Sequence, residues 1–301
     1  MKAKSIPVIL LIGKQGQVGW ELHRTLMSLG LVVALGRKDL DLADAHQIRQ
    51  VLGQIKPDVI VNAVAYTAVD KAESETALAM QINGVAPGIL AEEAKKTGAL
   101  LLHYSTDYVF DGTKNQPYIE TDAPHPVNQY GHGKLAGEQA IQAVTCDYLI
   151  LRTTWVYADR GQNFLRTVLR LAAEREELSI VADQIGAPTW ARTIAEATAH
   201  IVRQAQGERQ KGCFESGLYH LSSAGQTSWF GFAEKIIADA RTAPGSQKLK
   251  VRLVHPITTA QYPLPASRPK NSLLANDALC ARFGLIMPTW EHALALCMDT
   301  I

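Results

Sequence analysis

The sequence predicts an α/β fold built on a doubly wound parallel sheet, with a smaller irregular lobe after it. Three observations carry that expectation. Five short apolar runs in the first half are continuous rather than alternating, as in strands buried on both faces. A helical pattern separates each run from the next. A glycine-spaced turn lies between the first run and the first helix, where such folds receive nucleotide phosphates.

In chain order, residues 6–12 form the first apolar run. Residues 17–29 follow with Val18, Leu22, Leu26 and Leu29 on one helical face. Next come a strand at 31–35, a helix around 45–55 and a strand in "DVIVNAVA" at 58–65. One long helix is expected over 74–97, leading into a strand at 99–105. A further helix over 128–144 leads into "DYLILRTTWVY" at 147–157. Right-handed crossovers between these strands place helices on both faces. Beyond residue 157, helical patterns near 162–177, 189–206 and 229–241 alternate with short strands and a proline-rich loop at 262–272. One or two of those strands are expected to return to the main sheet.

Composition excludes several classes. A formal charge of +1 gives no sign of a polyanion-binding surface, so nucleic acid is not the expected partner. Cys146, Cys213, Cys280 and Cys297 are scattered without a C-x-x-C pair, which fits a reducing cytoplasm and no structural zinc. The nine histidines form no ligand spacing, and His132 is expected to face solvent. "MKAKSIPVILLIG" imitates a signal peptide, but its apolar run is short and no small-residue cleavage site follows. No run reaches the ~20 apolar residues of a membrane span.

The chemistry concentrates at strand ends. "GKQGQVG" supplies Gly13, Gly16 and Gly19 for a tight turn, close approach of backbone to a pyrophosphate, and close helix packing. The second strand ends in Gly36, Arg37 and Lys38 before Asp39 and Asp41. Two cations ahead of any acid favour NADPH, with NADH left open. The fourth strand ends in "STDYVFDG". Its hydroxyls and carboxylates suit an active site better than a plain turn once "YGHGK" is considered. Tyr130 and Lys134 stand four residues apart on one helical face. A cation near the phenol lowers its pKa and fits Tyr130 as a general acid, with Thr106 donating to the same substrate oxygen.

The glycine turn, "STDYVFDG" and Y-x-x-x-K together resemble the extended short-chain dehydrogenase/reductases. "PDVIVNAVAYTAVDKAE", "HYSTDYVFDGT", "YGHGKLAGE", "LRTTWVYA", "DQIGAPTW" and "YPLPASRPKNSLL" narrow the resemblance to the dTDP-4-dehydrorhamnose reductase family. The resemblance implies hydride delivery from NADPH or NADH to the 4-keto group of dTDP-4-dehydro-L-rhamnose. It also implies a dinucleotide-binding domain over 1–157 and a mainly nucleotide-sugar-binding lobe over 158–301. Catalytic roles fall on Thr106, Tyr130 and Lys134. Cofactor positions are Gly13, Gln15, Gly16, Gln17, Val18, Gly19, Arg37, Asp41, Leu42, Ala63, Val64 and Ala65, with Tyr130 and Lys134 at the nicotinamide ribose. Substrate contacts are Val69, Thr106, Asp107, Trp155, Asn163 and Arg268, the last toward the diphosphate. For several of these a structural role stands beside the functional one: Asp107 and Asn163 as caps, Trp155 as a core aromatic, Arg268 as a solvated charge. Some relatives bind Mg²⁺ through acidic residues at a dimer interface. Here Arg192 stands where a carboxylate would be expected, which leaves both that metal and that homodimer in doubt.

Two other functions share the fold. A nucleotide-sugar epimerase or dehydratase would retain its NAD, and a dehydratase needs a second acid beside Asp107. A non-catalytic NADP-binding regulatory subunit would have lost Tyr130 or Lys134, and neither is lost.

Overall fold

The computed structural model describes residues 6–242 and 249–301. The two lysines of the signal-like start lie outside the described residues. The chain runs β1 (Val8–Ile12), α1 (Gln17–Thr25), β2 (Leu31–Leu35), α2 (Ala45–Ile55) and β3 (Val59–Asn62). It continues through α3 (Val69–Ala72), α4 (Thr76–Met80), a π-turn (Gln81–Val85), α5 (Ala86–Thr97) and β4 (Leu100–Thr106). A 3₁₀ turn (Asp107–Val109) precedes α6 (Gln129–Val144) and β5 (Tyr148–Thr153).

Then come β6 (Val156–Tyr157), α7 (Phe164–Glu174), β7 (Glu177–Val181), β8 (Ile185–Gly186) and β9 (Thr189–Trp190). The chain ends with α8 (Ala191–Lys211), β10 (Gly217–His220), β11 (Thr227–Ser228), α9 (Trp229–Thr242), β12 (Leu253–Ile257), α10 (Asp277–Phe283) and α11 (Trp290–Met298). No helix among the described residues is long and apolar enough to cross a membrane.

Six parallel strands form the main sheet in the order β10-β5-β4-β3-β1-β2. The order reverses between β1 and β3, and in such sheets ligands bind beyond the strand ends at that reversal. β3 and β4 are buried at every position, which explains their unbroken apolar runs. Side chains alternate between two cores. Leu100, Leu102 and Tyr104 pack toward α8, while Leu101 packs toward α5 and α6. A third core under α7, α9 and α11 centres on Phe232 and Trp290.

The expected single helix over 74–97 is interrupted. The π-turn at Gln81–Val85 widens the backbone where Asn83 is buried, and the Asn83 amide brackets Tyr66. Its Oδ1 accepts from Tyr66 N at 2.8 Å and its Nδ2 donates to Tyr66 O at 3.1 Å. Helical periodicity cannot reveal a bulge whose purpose is a distant loop.

Candidate functional site

The turn after β1 is built as its glycines require. Gly13 has φ +99°, a left-handed value natural to glycine. A Cβ on Gly19 would lie 2.0 Å from the Gly13 carbonyl oxygen, so α1 packs directly on the turn. Gly16 caps α1 with no side chain on the first N–H groups and no acid in the first turn, an arrangement suited to phosphate. The β2 tip adds Arg37. Asp39 there is held by Lys14 at 2.8 Å and by the Gly36 N–H at 2.9 Å.

A cleft of about 670 Å³ starts at this turn and ends at Tyr130 and Lys134. Every expected cofactor position except Gly19 lines it, including Gln15, Gln17, Val18, Asp41, Leu42, Ala63, Val64 and Ala65. The glycine turn, the uncapped helix start and Arg37 therefore fit a phosphorylated dinucleotide. The cleft also takes in Tyr66, Lys71, Ser105, Thr153, Gly161 and Gln162, which sequence reasoning missed. Gly161 and Gln162 come from the loop before α7. Nothing in the sequence signals this loop: it is held at the turn by Asn163 Nδ2, which donates to Gln17 Oε1 at 2.9 Å across 146 positions.

At the inner end, Asn128 caps α6 by accepting from Gly131 N, and this sets Tyr130 and Lys134 on the first turns. A Cβ on Gly131 would lie 2.2 Å from Tyr108 O, so the helix start sits tight against the β4 turn. The Tyr130 phenol lies near the Thr106 hydroxyl. Its ring meets Tyr108 edge-on, with centroids 5.6 Å apart. Burial pushes the phenol up to about 12, and Thr106 offsets part of that. Burial, rather than the charge of Lys134, dominates the phenol in this structure. Lys134 Nζ donates to Tyr104 O at 2.6 Å and pairs with His103 Nε2 at 3.0 Å, and burial lowers it to about 8.

The expected substrate positions divide into two groups. Thr106 and Asp107 lie beside Tyr130 and Arg268 lies near Tyr108, although none of the three lines the cleft itself. Thr106 Oγ1 donates to Asp107 Oδ1 at 3.2 Å, and Asp107 Oδ2 is buried without a partner. Burial raises Asp107 to about 6, and the nearby hydroxyls of Ser272, Thr106 and Thr154 offset part of that rise. Arg268 grips Asp70 with two nitrogens at 2.8 and 3.1 Å, which ties the 262–272 loop to α3. Arg268 is therefore an ion-paired side chain, not the solvated loop charge weighed as its structural role.

Val69, Trp155 and Asn163 stand apart from this group. Val69 opens α3 between Ala68 and Lys71, which line the cleft while Val69 does not. Trp155 has φ +44° and stacks on Trp229 with ring centroids 3.6 Å apart. Asn163 caps α7, accepting from Arg166 N at 3.1 Å, and its amide donates to Ala158 O and Arg160 O. Arg192 pairs with Glu21 at 3.2 Å. Among the described residues no three His, Cys, Asp or Glu side chains are grouped to hold a metal. His132 is exposed.

Comparison with known proteins adds an independent line. The family description "RmlD substrate binding domain" matches residues 7–301. The chain is 57% identical to a dTDP-4-dehydrorhamnose reductase of Burkholderia thailandensis over 96% of this chain and 97% of that one. It is 45% identical to the Escherichia coli K12 protein of the same name, over 94% of each. Among solved structures, the dTDP-4-dehydrorhamnose reductase of Bacillus anthracis in complex with NADP superposes with a TM-score of 0.86. That match has 36% identity and covers 99% of this chain and 100% of that one. The UDP-glucose 4-epimerase of Thermus thermophilus, at 18% identity over 97% of this chain and 98% of that one, shares the fold with a TM-score of 0.78. Matched along nearly its whole length in sequence and in shape, the chain belongs to the dTDP-4-dehydrorhamnose reductases, a family of NAD(P)H-dependent oxidoreductases.

Proposed function

We propose that this chain reduces the 4-keto group of dTDP-4-dehydro-L-rhamnose to dTDP-L-rhamnose in the cytoplasm, with NADPH as preferred reductant and NADH as a weaker one. The observation that carries this reading is the placing of Tyr130 and Lys134 together at the inner end of a cleft that begins at the glycine turn. NADPH, when bound, supplies the hydride for the carbonyl carbon.

Tyr130 does the proton work. A phenol held near 12 stays protonated at neutral pH yet is far more acidic than the product alcohol, so it yields its proton as charge develops on the substrate oxygen. Thr106 donates a hydrogen bond to the same oxygen. Lys134 in its ammonium form balances the phenolate left on Tyr130 and holds the nicotinamide ribose.

Along the cleft, Gly13 to Gly19 take the pyrophosphate, Arg37 the 2′-phosphate, Asp41 and Leu42 the adenosine, and Ala63 to Ala65 the adjoining wall. On the substrate side, Asp107 offers its unpartnered oxygen to a sugar hydroxyl, and Arg268 exchanges Asp70 for the diphosphate. Val69, Trp155 and Asn163 border the sugar nucleotide from farther out. In this reading residues 1–157 hold the dinucleotide and residues 158–301 mainly the sugar. Dehydration is disfavoured because the side chains nearest Asp107 are hydroxyls rather than a second carboxylate.

The test supplies the 4-keto nucleotide sugar with NADPH or NADH, follows the loss of reduced-nicotinamide absorbance and identifies the product. Tyr130→Phe is expected to lower kcat at least ~100-fold while NADPH still binds. Near-normal turnover by that variant refutes the mechanism.

A further inference from the structure

A buried polar chain runs behind the reacting residues. Asn62 at the end of β3 stands opposite His103 of β4 in the parallel register. Asn62, His103 and Lys134 are each no more than 1% exposed. The Val64 N–H donates to Asn62 Oδ1 at 3.1 Å, which fixes which way the amide faces. Its Nδ2 then meets His103 Nδ1 at 3.0 Å. An amide nitrogen offers only hydrogens, so Nδ1 accepts and the neutral ring carries its hydrogen on Nε2. Nε2 is the atom 3.0 Å from Lys134 Nζ. An ammonium has three donors and no lone pair, whereas an amine can accept.

We propose that His103, locked by Asn62 as an Nε2–H donor, is a positioning residue that sets the pH at which Lys134 loses its charge. Charging Lys134 sets two donors against each other, or forces Asn62 to turn and abandon the Val64 N–H. The chain thus presses the lysine toward its amine form and brings its titration into the working range. Because the ammonium form is the one that balances the Tyr130 phenolate, this pH sets the basic limit of turnover. This role rests on the reductase reading above.

The other charged groups around α6 do not account for this bias. On its own helix, Glu138 favours the ammonium, but Arg152 of β5 grips it with two bonds at 2.8 and 2.7 Å. Tyr130 stays protonated, and Tyr104 of β4 presents its carbonyl to Nζ. Asp107 and Tyr108, in the turn after β4, act on each other and on Tyr130. In α3, Asp70 is paired with Arg268, and Lys71 is exposed at the cleft. Neither α4 nor the π-turn carries a charged side chain. The charges of α5 pair elsewhere: Glu92 and Glu93 with Arg49, Lys96 with Glu93, and Lys95 with the end of α6. Burial lowers Lys134 to about 8, and it lowers His103 well below the imidazole range, with the Lys134 charge adding to the fall.

The experiment has two arms. Nitrogen-15 NMR of the imidazoles in the unligated protein, with His103 assigned by its loss in His103→Gln, reads the tautomer directly. Nδ1 without hydrogen and Nε2 with hydrogen is the expected pattern, and the reverse overturns the proposal. The second arm follows the Lys134 carbon-13 titration and the basic limb of kcat in wild type, Asn62→Asp and His103→Gln. Asn62→Asp accepts from Nδ1–H and turns a ring lone pair toward Nζ. His103→Gln offers Nζ an amide oxygen without adding charge. Both are expected to raise the Lys134 titration and the basic limb by about one pH unit. A shift in Asn62→Asp alone assigns the effect to added charge and overturns the tautomer argument, as does no shift in either variant. Failure of the wild type to turn over would sink the reductase reading, while the NMR arm would still decide this one.

Discussion

Replacing Lys134 with methionine converts the burial of one charge into a measurable pH dependence. Methionine keeps the unbranched stem and removes the charge. Burial lowers Lys134 from 10.5 to about 8 in the native protein. At pH ~7 both native and unfolded chains carry the proton, and the native state bears the full cost of the buried ammonium. Between the two pKa values the native lysine has lost its proton while the unfolded one keeps it. The unfolded state therefore binds more protons, and stability rises with pH. Working the two titrations through, wild type should gain about 2 kcal/mol on Lys134→Met between pH ~7 and pH ~9.5. The lost bonds to Tyr104 O and His103 add an offset to the comparison, and the other titrating groups cancel in the difference. Urea unfolding followed by tryptophan fluorescence at both pH values measures it. A gap that stays constant with pH would show that Lys134 titrates as an exposed lysine, and the dry pocket would be wrong.

Three further outcomes follow from the same site. Asp107 is raised from 3.8 to about 6, so the native state binds more protons in that window and loses stability as pH rises through it; Asp107→Asn should be more stable by up to ~3 kcal/mol at pH ~7 and lose that advantage below pH ~4 in denaturant titrations. Gly19→Ala drives a methyl to 2.0 Å from Gly13 O and should cost ~3 kcal/mol or more, with loss of NADPH binding measured by calorimetry. Arg37→Ala should raise the KM for NADPH about 10- to 100-fold and leave that for NADH nearly unchanged, erasing the cofactor preference in steady-state assays.

The parallel sheet was readable because continuous apolar runs need cover on both faces, and β3 and β4 are buried throughout. The glycine turn was readable because each glycine answers a separate steric demand, and Gly19 answers one of packing rather than of ligand contact. Tyr130 and Lys134 could be paired from helical spacing, but their electrostatics could not. Burial moves both pKa values, and burial depends on the whole fold. The π-turn escaped because it serves the two hydrogen bonds that Asn83 exchanges with Tyr66, in a loop 17 positions away. Tyr66, Gly161 and Gln162 escaped because a cleft wall assembled from loops leaves no periodicity. The partners of Trp155, Asn163 and Arg268 lie 74, 146 and 198 positions away. No local pattern encodes those separations.

The place of β10 and α8 bears on how the chain comes to be folded during synthesis. A nascent chain that stops at residue 157 has made five of the six parallel strands, yet β5 still offers a bare edge where β10 will pair. The sheet face later covered by Ile194, Ile201 and Val202 of α8 is equally naked. Such an edge and face invite wrong partners until covered. Emergence of the first half from the ribosome therefore cannot complete a stable unit, and the sheet closes only after His220 has been made.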